Sequence, residues 1–134
     1  MIDAAIYSIL TDDATVSGLV GANVYPAMAP QATELPYVTY QQISGIPYRS
    51  INNGVSNYAK SRFQVDCWAS TPLAAKTLAT AAKAALQEFY GPKSGIRIGE
   101  IVLNDQRDNF NPPQDGSDQI VPGVTLDLTI LHGD

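Results

Sequence analysis

The cleanest periodicity in the chain lies toward its C-terminal end. Val124, Leu126, Leu128 and Ile130 alternate with Thr125, Asp127 and Thr129, the period of two of a half-buried strand, and predict one over Val121–Leu131. Phe63, Val65 and Cys67 alternate in the same way with Arg62, Gln64 and Asp66 and predict a second strand ending at Trp68. The period then changes. Ala69-Ser70-Thr71-Pro72 offers a hydroxyl to cap a helix and a proline whose fixed φ suits the first helical position. From Leu73 to Tyr90, Ala74, Leu78, Ala81, Ala82, Ala85 and Phe89 recur at three- and four-residue spacing, opposite Lys76, Thr80, Lys83 and Gln87. That is an amphipathic helix with an alanine-rich inner stripe, stopped by Gly91-Pro92.

The remaining segments are read against this centre. Ile2, Ile6, Ile9 and Leu10 form the apolar side of a short N-terminal helix, and Asp12 or Asp13 caps a further turn through Val16, Leu19 and Val20. Asn23–Pro36 is irregular: Val24-Tyr25 pairs briefly as an edge, while Pro26, Pro30 and Pro36 keep the chain extended. Tyr37–Ser44 is a strand rich in β-branched and aromatic residues. Asn53-Gly54 is a strong hairpin-turn signal, so Tyr37–Ser50 and Val55–Trp68 form a long antiparallel hairpin whose far end, Ile46–Ala59, projects beyond the core. Ile96, Ile98, Ile101, Val102 and Leu103 mark another strand, extended by a more polar arm to Phe110. The turn-rich acidic run Asn111–Asp118 leads back into Val121–Leu131 as a second hairpin. The expected fold is α+β: an antiparallel sheet of about four strands in two long hairpins, with one long helix and a short N-terminal helix on one face.

At 134 residues a single domain, 1–134, is the simplest organisation, with enough chain to bury a core without staples. One cysteine, Cys67, excludes an internal disulfide and offers no metal-site spacing. No apolar run reaches membrane-spanning length, and Met1–Leu10 lacks the basic start of a secretory signal, so assembly in the cytosol is the default. The net charge of −5 is unevenly placed. Residues 1–104 balance seven acids against seven bases, whereas 105–134 hold Asp105, Asp108, Asp115, Asp118, Asp127 and Asp134 against Arg107 alone. That distribution disfavours a phosphate-neutralising surface and with it direct nucleic-acid binding.

Catalytic chemistry is hard to assemble. The single histidine, His132, is the third residue from the end of the sequence and is read as a solvent-exposed tail residue. A hydrolase would have to combine it with Asp127 or Ser117. Phosphate-loop, nucleophile-elbow and zinc-helix motifs are absent from the sequence. Asp105, Asp108, Asp115 and Asp118 could together hold a hard cation, but their ligand count and glycine placement match no known loop. The reading kept for them is a solvated acidic hairpin that repels passing DNA. Trp68 reads as core. Tyr48 and Tyr58, near the projecting tip, read as contacts with another chain. No cofactor or metal is called, and the chain is read as a non-enzyme.

Several segments taken together are familiar. Leu10-Thr11-Asp12-Asp13-Ala14 runs to Leu19-Val20-Gly21, followed by Val24-Tyr25-Pro26, Ala29-Pro30, Leu35-Pro36-Tyr37-Val38-Thr39-Tyr40, and Phe63-Gln64-Val65-Asp66-Cys67-Trp68-Ala69 with its helix. The order of these motifs resembles the tail completion, or tail terminator, family of long-tailed bacteriophages and their prophages. The resemblance covers about residues 1–90 and the last alternating strand, and is weakest over 91–123. It implies a structural virion protein of the head-proximal tail end, assembled in the host cytoplasm. Such a protein forms a homo-oligomeric ring, usually a hexamer, that caps the tail tube and joins the head. Its partners would be the tail tube protein and the head-tail connector or neck proteins, with DNA passing through the ring and no sequence-specific nucleic-acid binding. The residues assigned to subunit or tube contact are Tyr48, Arg49, Ile51, Asn53, Tyr58, Phe110 and Asn111. A neck protein of the same ring and a small monomeric binding module are the competing readings.

Overall fold

The fold is that of a computed structural model, which describes residues 2–21, 23–26, 35–47, 58–93, 95–111 and 121–133. The elements run α1 (Ile2–Asp12), α2 (Ala14–Val20), β1 (Val24–Pro26), β2 (Tyr37–Pro47), β3 (Tyr58–Trp68), α3 (Pro72–Gln87), β4 (Gly91–Lys93), β5 (Ile96–Asn111) and β6 (Val121–Gly133). The strands make one curled sheet in the order β1-β2-β3-β6-β5-β4. The α+β class holds, but the expected four strands and single long helix do not: the described residues form six strands and three helices. The two short strands are three residues each, too short to leave a periodic signal, although β1 is the brief edge pairing read at Val24-Tyr25. β1 also runs parallel to β2, so the sheet is mixed rather than wholly antiparallel.

Both long hairpins are present. Tyr37 pairs with Trp68 and Pro47 with Ala59 in the first, and Ile98 pairs with His132 and Asn111 with Val121 in the second. The two join at the centre, where β3 and β6 pair antiparallel from Tyr58↔Gly133 to Trp68↔Gly123. The pairing therefore continues past Ile46, where the projecting tip was expected to begin. The Asn53-Gly54 turn and the acidic run 112–118 lie outside the described residues.

Alternation decides which side is dry. Phe63, Val65 and Cys67 on β3 meet Leu128, Leu126 and Val124 on β6, and all six are buried. Three helices cover this face, with α3 over the central strands and α1 and α2 beside it. Thr71 Oγ1 accepts from the Ala74 amide at 3.1 Å with Pro72 next in line, the start that the sequence implied. Asp13, not Asp12, caps α2, accepting from the Val16 amide at 3.0 Å. Asp12 instead receives Lys93 Nζ at 2.6 Å, tying the end of α1 to β4.

The buried stripe of α3 is rotated from the one expected. Ala75, Leu78, Ala79, Ala82 and Leu86 are buried, Ala74 is exposed, and Ala81, Ala85 and Phe89 pack at the margin. In an alanine-rich helix the few large apolar residues fix the face. Leu78 and Leu86 share a side and each contributes roughly 1.5–3 kcal/mol on burial. The helix also ends at Gln87 rather than Tyr90, and Glu88 closes it in right-handed geometry. Gly91 has φ 104° but uses that freedom to open β4, not to cap α3.

Candidate assembly surfaces

The face of the sheet turned away from the helices is built from the polar half of each alternating strand. Arg62 Nε donates to Asp127 Oδ1 at 2.9 Å while Nη2 contacts Oδ2, a two-pronged pair. Asp127 is buried and Arg62 is about half exposed. The bond from Arg62 holds the Asp127 carboxyl below the ordinary range, against the desolvation that would raise it. Next along the face, Thr125 Oγ1 donates to Asp66 Oδ1 at 2.5 Å, and Gln64 and Asn109 amides donate to Asp66 and Thr125. Asn104 Nδ2 reaches Thr129 Oγ1 at 2.5 Å. These bonds explain how Thr125 and Asp127 are buried on a face that no described element covers.

Trp68 belongs to this face as well. It is buried, yet it lies with Tyr37, Tyr25 and Val121 apart from the main core, its indole N–H directed at Thr39 Oγ1 over 3.3 Å. The expectation of a core tryptophan is correct as to burial, and the ring packs in a small cluster apart from the main core. The parity of β3 carries the reason: Trp68 falls in step with Arg62, Gln64 and Asp66.

His132 is not an exposed tail residue. It is 5% exposed, and its Nε2 lies 2.7 Å from Ser61 Oγ, itself buried. It keeps step with Leu128 and Ile130, so the parity of the last strand already pointed inward. Asp127 has the other parity and projects from the opposite face, held by Arg62, so the proposed partnership of His132 with Asp127 fails on geometry. Ser117 lies outside the described residues. Cys67 is fully buried, and burial, reinforced by the Asp66 charge, pushes its thiol far above the ordinary value, the reverse of an activated nucleophile.

The acidic residues do not converge. Asp105 pairs in register with Asp127 on the outer face and lies 3.3 Å from Arg107 Nη1. Asp108 pairs in register with Val124 on the helix side and reaches Lys76 Nζ of α3 at 3.9 Å. One cation cannot be shared by two carboxylates on opposite faces of a strand. Asp115 and Asp118 lie outside the described residues, as do Tyr48, Arg49, Ile51 and Asn53. The other contact candidates separate cleanly. Tyr58 opens β3 opposite Gly133, while Phe110 and Asn111 close β5 opposite Pro122 and Val121. The strand ends bordering 48–57 and 112–120 thus stand at opposite ends of the sheet. No helix among the described residues is long and apolar enough to cross a membrane.

Comparison with known proteins bears on this arrangement. No curated protein matches the chain. A chain from a solved structure described as "Virion of native gene transfer agent (GTA) particle" shares its fold, with a TM-score of 0.75 at 19% identity, over 98% of this chain and 95% of that one. A family model described as "Tail completion protein gp17" matches residues 4–120. The protein is therefore a member of the phage tail completion family and serves a structural role in tail assembly.

Proposed function

We propose that this protein is a tail terminator, a ring, hexameric in the simplest case, at the head-proximal end of the tail tube. It stops tube polymerisation and offers the surface on which the DNA-filled head docks. The observation that carries this reading is the family match over residues 4–120. The separation of the two hairpin ends supports it, because a joint between tube and head needs two different contact ends on one subunit. Tyr58, with Tyr48, Arg49, Ile51 and Asn53 in the connection before it, serves one end. Phe110 and Asn111, followed by Asp115 and Asp118, serve the other. The acidic residues of that second hairpin keep DNA from adhering as it passes. No step requires catalysis or a cofactor.

The test is the particle made without this chain. Filled heads beside over-long, unattached tails are the expected products. Tails of normal length beside unattached heads would instead indicate a neck protein, and normal joined particles would overturn both. Light scattering of the purified chain, alone and with tube protein, should show a closed oligomer; a monomer under every condition contradicts the ring.

A further inference from the structure

The sheet is left unpaired at two places along its edges. β1 covers only Val38–Tyr40 of β2, and β4 covers only Ile96–Ile98 of β5. Among the described residues, Gln41–Pro47 and Gly99–Asp108 therefore have no strand partner on their outer sides. Each stretch is interrupted by bulges, between Gln42 and Ser44 on β2, and at 98/100 and 103/105 on β5. The regular parts that remain include Ser44–Ile46 and Glu100–Val102. Long open edges are templates for pairing with another chain unless something blunts them.

These two segments lie in the same rows of the sheet. Ser44 pairs with Arg62, Arg62 with Thr129, and Thr129 with Val102. The next rows run likewise from Gly45 to Ile101 and from Ile46 to Glu100. The three intervening pairings are all antiparallel, so β2 and β5 run in opposite directions. Two copies set side by side in the same orientation would bring Glu100–Val102 of one against Ser44–Ile46 of the next in antiparallel register; past the bulge at 103/105 the neighbour's β5 must turn away, because β1 holds the outer side of Val38–Tyr40. Rows in register also keep each side chain on its own face, so the helices of every copy stay on one side. A joint without axial slip generates a closed ring rather than a rising helix when the strands lie along the ring axis.

We infer that neighbouring copies of this chain join edge to edge, Ser44–Ile46 of β2 pairing antiparallel with Glu100–Val102 of β5 of the next copy. The occupant of each open edge is thus a second copy, and the inference rests on the ring reading above. Apolar residues stand exposed at both edges, Ile43 at 44% and Val102 at 43%, where a neighbouring strand would cover them. Pro47, lacking an N–H, bounds the β2 side of the joint.

The test is a disulfide that only neighbours can make. Within one copy, positions 44 and 102 are three strand spacings apart, about 14 Å, beyond the roughly 7 Å reach between Cα atoms of a disulfide. The double variant Ser44→Cys/Val102→Cys, assembled with or without tube protein and oxidised, should give a non-reducing ladder ending at the ring. Mass spectrometry should find the two substituted positions joined, with neither single variant cross-linking. A ring of correct mass without this cross-link overturns the edge joint and leaves the terminator reading intact. Dimers from Val102→Cys alone indicate two-fold pairing and also overturn it, and a monomer under every condition removes ring and joint together. Hydrogen exchange on the unsubstituted chain guards against a misfolded variant. Amides at 44–46 and 100–102 should slow on assembly; unchanged exchange there refutes the joint.

Discussion

Gly123 shows how far one hydrogen atom can matter. It pairs with Trp68 across β3 and β6, and a Cβ added there would stand 2.6 Å from Trp68 Cζ3 and 3.0 Å from the Cys67 carbonyl oxygen. The indole lies over bare backbone. Gly123→Ala should therefore cost on the order of 1–3 kcal/mol, as overpacking does; an unchanged urea midpoint would show that the ring shifts freely. Asp127 carries a second residue-scale consequence. Its folded-state value is lowered, so its contribution is full above the ordinary value of 3.8 and is lost as pH falls below it toward the folded value. Asp127→Asn should then be less stable than the parent at neutral pH, with the gap narrowing in acid. Melting curves across that range would check the sign, and a gap independent of pH would exclude the Arg62 pair as its source.

At the scale of elements, α3 is a platform and its stability is local in origin and tertiary in effect. Removing the Thr71 hydroxyl by Thr71→Ala leaves the Ala74 amide without its cap and should cost about 1 kcal/mol. A proline at the fully buried Ala82 breaks the helix against the sheet and costs ~3 kcal/mol or more. Far-UV circular dichroism during denaturation would separate the two: a shifted transition for the first, a largely unfolded chain for the second. The same element shows what the sequence could and could not disclose. Its N-terminal cap and start were legible because capping is local chemistry, whereas its end was not, since the helix stops at Gln87 rather than Tyr90. Its buried face was misplaced by part of a turn because alanine is apolar but small, and the face is chosen by what Leu78 and Leu86 meet. The long strands were legible by parity, and that parity held the inward turn of His132 and the outward side of Trp68 as well. β1 was read as a brief edge pairing at Val24-Tyr25 and is one, whereas β4 was not seen, because a strand of three residues owes its pairing to its neighbour. The outer-face bonds, Arg62 to Asp127 and Thr125 to Asp66, join residues far apart in sequence, so only the strand register brings them together. The candidate contact residues were chosen from the two hairpin tips. For Tyr58, Phe110 and Asn111 the structure adds their separation to opposite ends of the sheet.

At the scale of the whole molecule, one sheet carries a helix-covered apolar face and a hydrogen-bonded polar face, and both meet in β3 and β6. We propose that the chain unfolds as one domain. Trp68 reports on the polar side and far-UV circular dichroism largely on the helices opposite, so fluorescence and dichroism transitions should coincide; two separated midpoints would mean that hairpins and helices come apart independently. The position of β6 has one more consequence. It follows every other element among the described residues, yet it is seated in the middle of the sheet, between β3 and β5. During synthesis the first hairpin and α3 must wait with Phe63, Val65 and Cys67 uncovered on one side until Val124–Ile130 arrives. Closing that central gap requires a contact distant in sequence, the slow kind. A subunit made only as far as β5 therefore has no finished sheet to offer a neighbour in the proposed ring.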